Sequence, residues 1–311
     1  MQPLKRLLIA LLLVGAICQL SFVAFTKQVE KYEVHNTERL RELLLNHTYY
    51  DLIFLGSSRT HFGVNPRIID SVCGLKSYNA GVEGGNLYEF EMMLKAYLEN
   101  HPAPRYVVLN FDLHSFADTS RLFNYPVYFP YTSNKVINAY MSDNGYLNTT
   151  KEILPFLKLA DYDDDTKGVF LKTLAGRTEI APGDFQYKGY VSNSDVTITN
   201  EPPIVRHYQK IADNKRQALD RIIRLCREKK IELTFIYLPE YKREYEQSVT
   251  NSDEFFTTVD SFATSNHLQF LRDDKLAINN NPLMFANITH LNREGAQEYS
   301  AILAKELQTN L

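Results

Sequence analysis

Four short stretches of this chain carry residue types that can do nucleophilic chemistry. The first, Gly56-Ser57-Ser58-Arg59-Thr60-His61, follows the apolar run Leu52-Ile53-Phe54-Leu55, so its small residues can present a hydroxyl where a strand passes into a helix. An activated serine needs that geometry, because a helix N-terminus also offers N–H groups to a developing oxyanion. By itself the stretch equally describes a helix-capping serine. The second, Asn79-Ala80-Gly81-Val82-Glu83-Gly84-Gly85-Asn86, is a loop whose glycines let the backbone come close to a substrate. The third holds Asn110, Asp112 and His114, whose alternation predicts one shared side of an extended segment and an Asn110 amide able to donate to an oxyanion. The fourth, Asn287-Ile288-Thr289-His290-Leu291-Asn292-Arg293-Glu294-Gly295-Ala296, opens the last helical pattern and supplies an imidazole. A serine and a histidine brought within hydrogen-bond reach would form a nucleophile and its general base.

Whether they meet depends on the elements between them. The pattern predicts strands over 52–55, 77–79, 106–110, 232–238 and 267–271. Helices are predicted over 65–72, 87–99, 205–229, 252–265 and 293–308, with further helical pieces near 135–142 and 149–159. Apolar strands separated by helices long enough to be crossovers imply a three-layer α/β/α sandwich around a mainly parallel five-stranded sheet. In such sheets ligands bind beyond the carboxyl ends of the strands, and all four stretches fall at that edge. The alternation is interrupted by an aromatic-rich, Gly/Pro-punctuated insertion over 116–204.

Composition limits the partners. Thirty-four Lys and Arg against 37 Asp and Glu give a formal charge of −3, which argues against nucleic acid as the partner. The histidines show no metal-ligand spacing and the glycines form no nucleotide-binding pattern, so no cofactor is expected. Asp161-Tyr162-Asp163-Asp164-Asp165-Thr166-Lys167-Gly168 lacks the turn glycine and bidentate acid of a calcium loop and reads as a solvated acidic loop. Cys73 and Cys226 read as two small apolar side chains rather than a disulfide framework.

Leu7–Phe25 is a 19-residue run without a formal charge, preceded by Lys5 and Arg6. At about 1.5 Å per residue it is long enough to cross a hydrocarbon core of about 30 Å. The basic flank favours a cytoplasmic N-terminus and an extracytoplasmic body. The expected organisation is a transmembrane signal anchor over 1–26, a juxtamembrane stalk over 27–48 with Asn36 capping a short helix, and the folded domain over 49–311. A cleaved signal peptide is the competing reading, although no small-x-small site closes the run. Ile17 before Cys18 does not suit a lipoprotein.

The order of these features resembles the SGNH (GDSL-like) hydrolase superfamily: Gly-x-Ser near the start, a glycine loop after strand two, an asparagine after strand three, and a near-terminal His290-Leu291-Asn292 followed by Gly295-Ala296. Gly-Ser-Ser-Arg on a membrane-anchored chain is most similar to envelope members such as the D-alanyl transfer protein of teichoic acid modification and the exopolysaccharide O-acetyltransferases. The resemblance covers about residues 50–115 and 205–308. It implies a flavodoxin-like sheet, Ser58 as nucleophile, His290 as base, and Gly81, the Ser58 N–H and Asn110 as oxyanion donors. It also implies an envelope polysaccharide or teichoic-acid-like acceptor, with a membrane-bound O-acyltransferase or acyl carrier as partner.

Two positions depart from the pattern. Ser57 stands where the superfamily has the aspartate of Gly-Asp-Ser, and Asn287 where it has the aspartate of Asp-x-x-His. An amide can orient an imidazole but cannot stabilise an imidazolium as a carboxylate does; in the trypsin-type triad the same exchange costs about 10⁴ in kcat. Asp112, Asp273 and Asp274 are the carboxylates that could replace it. The sequence therefore predicts a serine esterase or O-acyltransferase, with a non-catalytic polymer-binding or scaffolding relative as the alternative.

Overall fold

A computed structural model describes residues 2–31, 37–46, 48–118, 122, 124–164, 166–168, 171, 186–193, 197–198 and 205–310. The chain divides into two compact units, Met1–Leu44 with Asn124–Ala181, and Leu45–Phe123 with Pro182–Leu311.

The second unit is built on a five-stranded parallel sheet. Its strands are β1 (Leu52–Leu55), β2 (Ser77–Asn79), β3 (Tyr106–Asn110), β6 (Glu232–Tyr237) and β7 (Gln269–Arg272), in the spatial order β2-β1-β3-β6-β7. This is the 2-1-3-4-5 order of a doubly wound, flavodoxin-like sheet. β1 to β3 are buried throughout, as expected of parallel strands covered on both faces. The short antiparallel pair β4 (Gln186–Tyr187) and β5 (Tyr190–Val191) returns beside β2, where the Asn79 N–H donates to the Lys188 carbonyl at 2.9 Å.

Local chemistry sets the crossover boundaries. Asn65 caps the Pro66–Cys73 helix by accepting the Arg67 N–H at 3.0 Å, Pro66 fits its first turn, and Gly74 ends it at φ +67°. Asn86 caps Leu87–Asn100 by accepting the Tyr88 N–H. The Arg293–Asn310 helix packs on Pro66–Cys73, with Ile69, Ala296, Tyr299, Leu303 and Leu307 buried in the core between them and the sheet.

Three of the differences from the sequence reading have a clear physical cause. The helix expected from 205 begins at Asp213, because residues 205–212 run extended: His207 bridges Val249, and Asn251 holds the Gln209 backbone. The strand expected from His267 begins at Gln269, since His267 closes the Ser252–Asn266 helix in the left-handed region at φ +56°. The helical piece expected over 149–159 breaks after Ile153, and Pro155 starts a separate seven-residue 3₁₀ segment to Asp161.

In the first unit, Gln2–Lys31 is one helix, long and apolar enough over Gln2–Gln28 to cross a membrane. Thr37–Leu45 forms the short helix expected near the stalk; Asn36, its expected cap, lies outside the described residues, as does much of 172–204. Asp163 accepts the Thr166 N–H and Asp161 pairs with Lys151, so both acids serve the local turns. All three cysteines are unpaired, and burial pushes the Cys226 thiol up to about 12.

Candidate active site

The register of the parallel sheet brings the carboxyl ends of all five strands to one edge, and the sequence-predicted residues gather there. Leaving β1, the chain turns at Gly56, where an added Cβ would lie 2.0 Å from Thr60 Oγ1 and 3.0 Å from Asn110 Cβ. Only glycine permits this approach of the turn to β3. Ser57 then caps the Ser58–Gly63 helix by accepting the Arg59 N–H at 3.2 Å, which makes Ser58 its first residue. The Ser58 hydroxyl is half-buried and faces the edge.

His290 reaches it from the loop before the last helix. Ser58 Oγ and His290 Nε2 are 2.8 Å apart, although 232 residues separate them. Phe62 packs against the imidazole in an edge contact with centroids 5.8 Å apart. On the far side of the ring, Nδ1 lies 3.0 Å from Asn287 Oδ1 and 2.8 Å from Thr289 Oγ1. Asn287 Oδ1 also accepts the backbone N–H groups of Thr289 and His290, each at 3.0 Å. Two backbone donors leave no choice about which end of the amide faces the ring, so the oxygen is fixed there. Nδ1 then carries the proton and Nε2 is the acceptor for the Ser58 hydroxyl.

Burial and, secondarily, the Arg59 charge hold the His290 pKa below its ordinary value, so the imidazole is neutral near pH 7. No carboxylate is hydrogen-bonded to it among the described residues. Asp273 accepts the Tyr299 hydroxyl at 2.6 Å, Asp274 pairs with Arg272 and Arg243, and Asp112 turns the other way.

Asp112 has a different task. Fully buried, it accepts the Ser57 hydroxyl, Arg59 Nη1 at 3.0 Å and Asn110 Nδ2 at 3.3 Å. Arg59, also buried, donates through Nη2 to the Leu238 and Pro239 carbonyls and lies over the Tyr237 ring at 4.6 Å. The ends of β1, β3 and β6 are thus tied beneath Ser58 by one ion pair. An acid at position 57 in place of the serine would crowd a second negative charge against Asp112 in one buried site. Asp112 and Arg59 as a pair were not evident from spacing, because 53 residues separate them. Nearby, burial raises Glu240 to about 7, opposed by Arg59, and Glu240 accepts the Tyr237 hydroxyl and the Glu246 N–H.

The expected oxyanion donors are placed unequally. The Ser58 N–H has no partner among the described residues. Asn110 Oδ1 accepts the Leu238 N–H at 3.2 Å and its amide gives one hydrogen to Asp112, so one N–H remains. The Gly81 N–H donates to Asn79 Oδ1 at 2.9 Å, while Asn79 Nδ2 donates to the Thr60 and Val64 carbonyls. An added Cβ at Gly81 would come within 2.5 Å of the His61 backbone nitrogen, so glycine is required for the loop to sit against the Ser58–Gly63 helix. Asp112 and His114 do not continue the alternation from Asn110, because the strand ends there and the chain turns over 113–116. His114 instead meets the Tyr245 hydroxyl at 3.1 Å.

No protein-family model matches the chain, and no curated protein matches it. Among solved structures it is similar to a candidate acylhydrolase from Bacteroides fragilis (11% identity, 88% of this chain and 94% of that one, TM-score 0.44). It is also similar to a GDSL-like lipase from Bacteroides thetaiotaomicron (13%, 90% and 98%, TM-score 0.43). A third is a candidate platelet activating factor from Streptococcus pneumoniae (14%, 94% and 98%, TM-score 0.45). At TM-scores below 0.5 these likenesses name neither a family nor a substrate, and the chemistry of the site rests on its own geometry.

Proposed function

We propose that this chain is an SGNH-type serine esterase or O-acyltransferase acting on a polymer of the bacterial cell envelope. One observation carries the reading: Ser58 Oγ lies 2.8 Å from His290 Nε2 at the carboxyl edge of the sheet, on an imidazole whose other nitrogen is oriented by Asn287. In the first step Ser58 Oγ attacks the acyl carbonyl and its proton passes to Nε2. The developing oxyanion is held by the Ser58 N–H and the remaining Asn110 N–H, with the Gly81 N–H shared from Asn79. The leaving alkoxide takes the proton from Nε2, leaving an acyl-Ser58 ester. A water or an acceptor hydroxyl then attacks that ester and its proton passes to Nε2, which returns it to Ser58 Oγ as the acyl–Oγ bond breaks.

The membrane-crossing length of the N-terminal helix supports an acceptor fixed at a membrane surface over a soluble ester, and the basic Lys5-Arg6 flank favours a folded unit outside the cytoplasm. It also favours a membrane-bound O-acyltransferase or acyl carrier as the source of the acyl group. To test the reading, the full chain in nanodiscs is given an activated acetyl ester with and without oligosaccharide acceptors. Acetylated oligosaccharide that disappears in Ser58→Ala supports transfer, whereas acetate alone indicates hydrolysis.

A second reading has its own observation. With Asn287 rather than a carboxylate behind His290, the imidazolium has weak support, which favours a chain that binds an envelope polymer or scaffolds an acylation complex without turnover. Polymer binding that is unchanged in Ser58→Ala, with no acyl-enzyme in the wild type, would decide for it.

A further inference from the structure

The first unit carries a feature that the serine chemistry does not use. Along the N-terminal helix Leu12, Ile17 and Leu20 are 74%, 62% and 69% exposed, as a lipid-facing surface would be. At the end of the apolar run the situation reverses, with Phe22 and Phe25 at 6% and 1%. They are covered by the insertion. Phe25 meets the Tyr162 ring edge-on at 4.7 Å, and Lys158 Nζ lies 5.9 Å from the Phe22 centroid. Tyr162 continues to Phe129 and Phe129 to Tyr125, with centroids 5.9 and 5.8 Å apart. Tyr125 in turn stacks on Tyr146 at 3.9 Å.

Depth follows from helix geometry. The run from Leu7 to Phe25 spans about 28 Å at about 1.5 Å per residue, close to the hydrocarbon thickness, so Phe22 and Phe25 lie at its outer boundary. An element packed on those two residues occupies the same plane. Ile153 and Leu154 immediately precede Pro155, the start of the 3₁₀ segment that packs on the helix, and are 71% and 42% exposed.

We propose that the 125–162 segment is a membrane-interfacial lobe, which inserts Ile153 and Leu154 into the boundary of the leaflet that the N-terminal helix exits. The proposal rests on that helix spanning the bilayer. The occupant of the apolar surface is lipid, and the lobe adds a second attachment beside the span.

The chain contains no Trp, so one introduced Trp is a unique reporter. Full-length Ile153→Trp, Leu154→Trp and Ile17→Trp variants are placed in nanodiscs of ordinary lipid, of lipid brominated near the headgroup end of the acyl chain, and of lipid brominated near its methyl end. The expected result is loss of emission from Trp at 153 and 154 with shallow bromine, and at 17 with deep bromine. Quenching at 17 with unquenched, water-like emission at both 153 and 154 would overturn the lobe while leaving the span in place. No quenching at 17 would remove the span, and the lobe with it.

Discussion

Asn287 accepts the backbone N–H of His290 with the same oxygen that faces the His290 ring, and this one atom decides the tautomer of the base. In a trypsin-type triad an asparagine fails largely because its amide turns the tautomer round. Here the backbone N–H groups of Thr289 and His290 prevent that turn. What the asparagine still lacks is charge, so proton acceptance by His290 is correctly aimed but weakly driven.

Asn287→Asp should therefore raise kcat on an activated ester, and Asn287→Ala should lower it about tenfold or more by releasing the ring. The pH profile separates charge from orientation. Because the His290 pKa is held below its ordinary value by burial, activity should rise with pH along a limb centred below 6.5. A carboxylate at 287 would favour the imidazolium and move that limb to higher pH. A limb that does not move would mean that His290 is not the titrating base.

Arg59 lies buried between Asp112 and two carbonyls of the β6 end, so Arg59→Ala leaves an unpaired buried carboxylate. A loss of about 3–5 kcal/mol in unfolding free energy is expected by denaturant titration. Ser57→Ala removes only the cap and one hydroxyl donor to Asp112, with an expected loss of about 1–2 kcal/mol. A larger effect on kcat than on KM should accompany it, since Ser58 is aimed by that turn.

Asp273 is raised to about 7 by burial. A carboxyl raised in the folded state binds more protons there than when unfolded, so its contribution to stability is fully present below about pH 4 and is lost as pH rises through about 7. Asp273→Asn, which keeps an acceptor for the Tyr299 hydroxyl, should flatten the fall of Tm between about pH 4 and 7. An unchanged slope would exclude Asp273 as its source.

Much of this was legible in the sequence because the signals are local. The apolar run 52–55 and the short helical pattern over 65–72 marked their elements directly, and strand ends on one edge made a Ser58–His290 meeting foreseeable. The misplaced helix start at 205 failed for the opposite reason: that segment is held extended by Val249 and Asn251, some forty residues away. Likewise Asp112 looked available to His290, and only the fold shows Arg59 and Ser57 already holding it. The insertion was opaque because its packing against Phe22 and Phe25 joins residues more than a hundred positions apart.

The most direct test of the central claim is the intact mass of the full chain after treatment with a fluorophosphonate, for wild type, Ser58→Ala and His290→Ala. An activated serine predicts one adduct on the wild type and none on either variant. No adduct on a folded wild type, or an adduct that persists in Ser58→Ala, would contradict it.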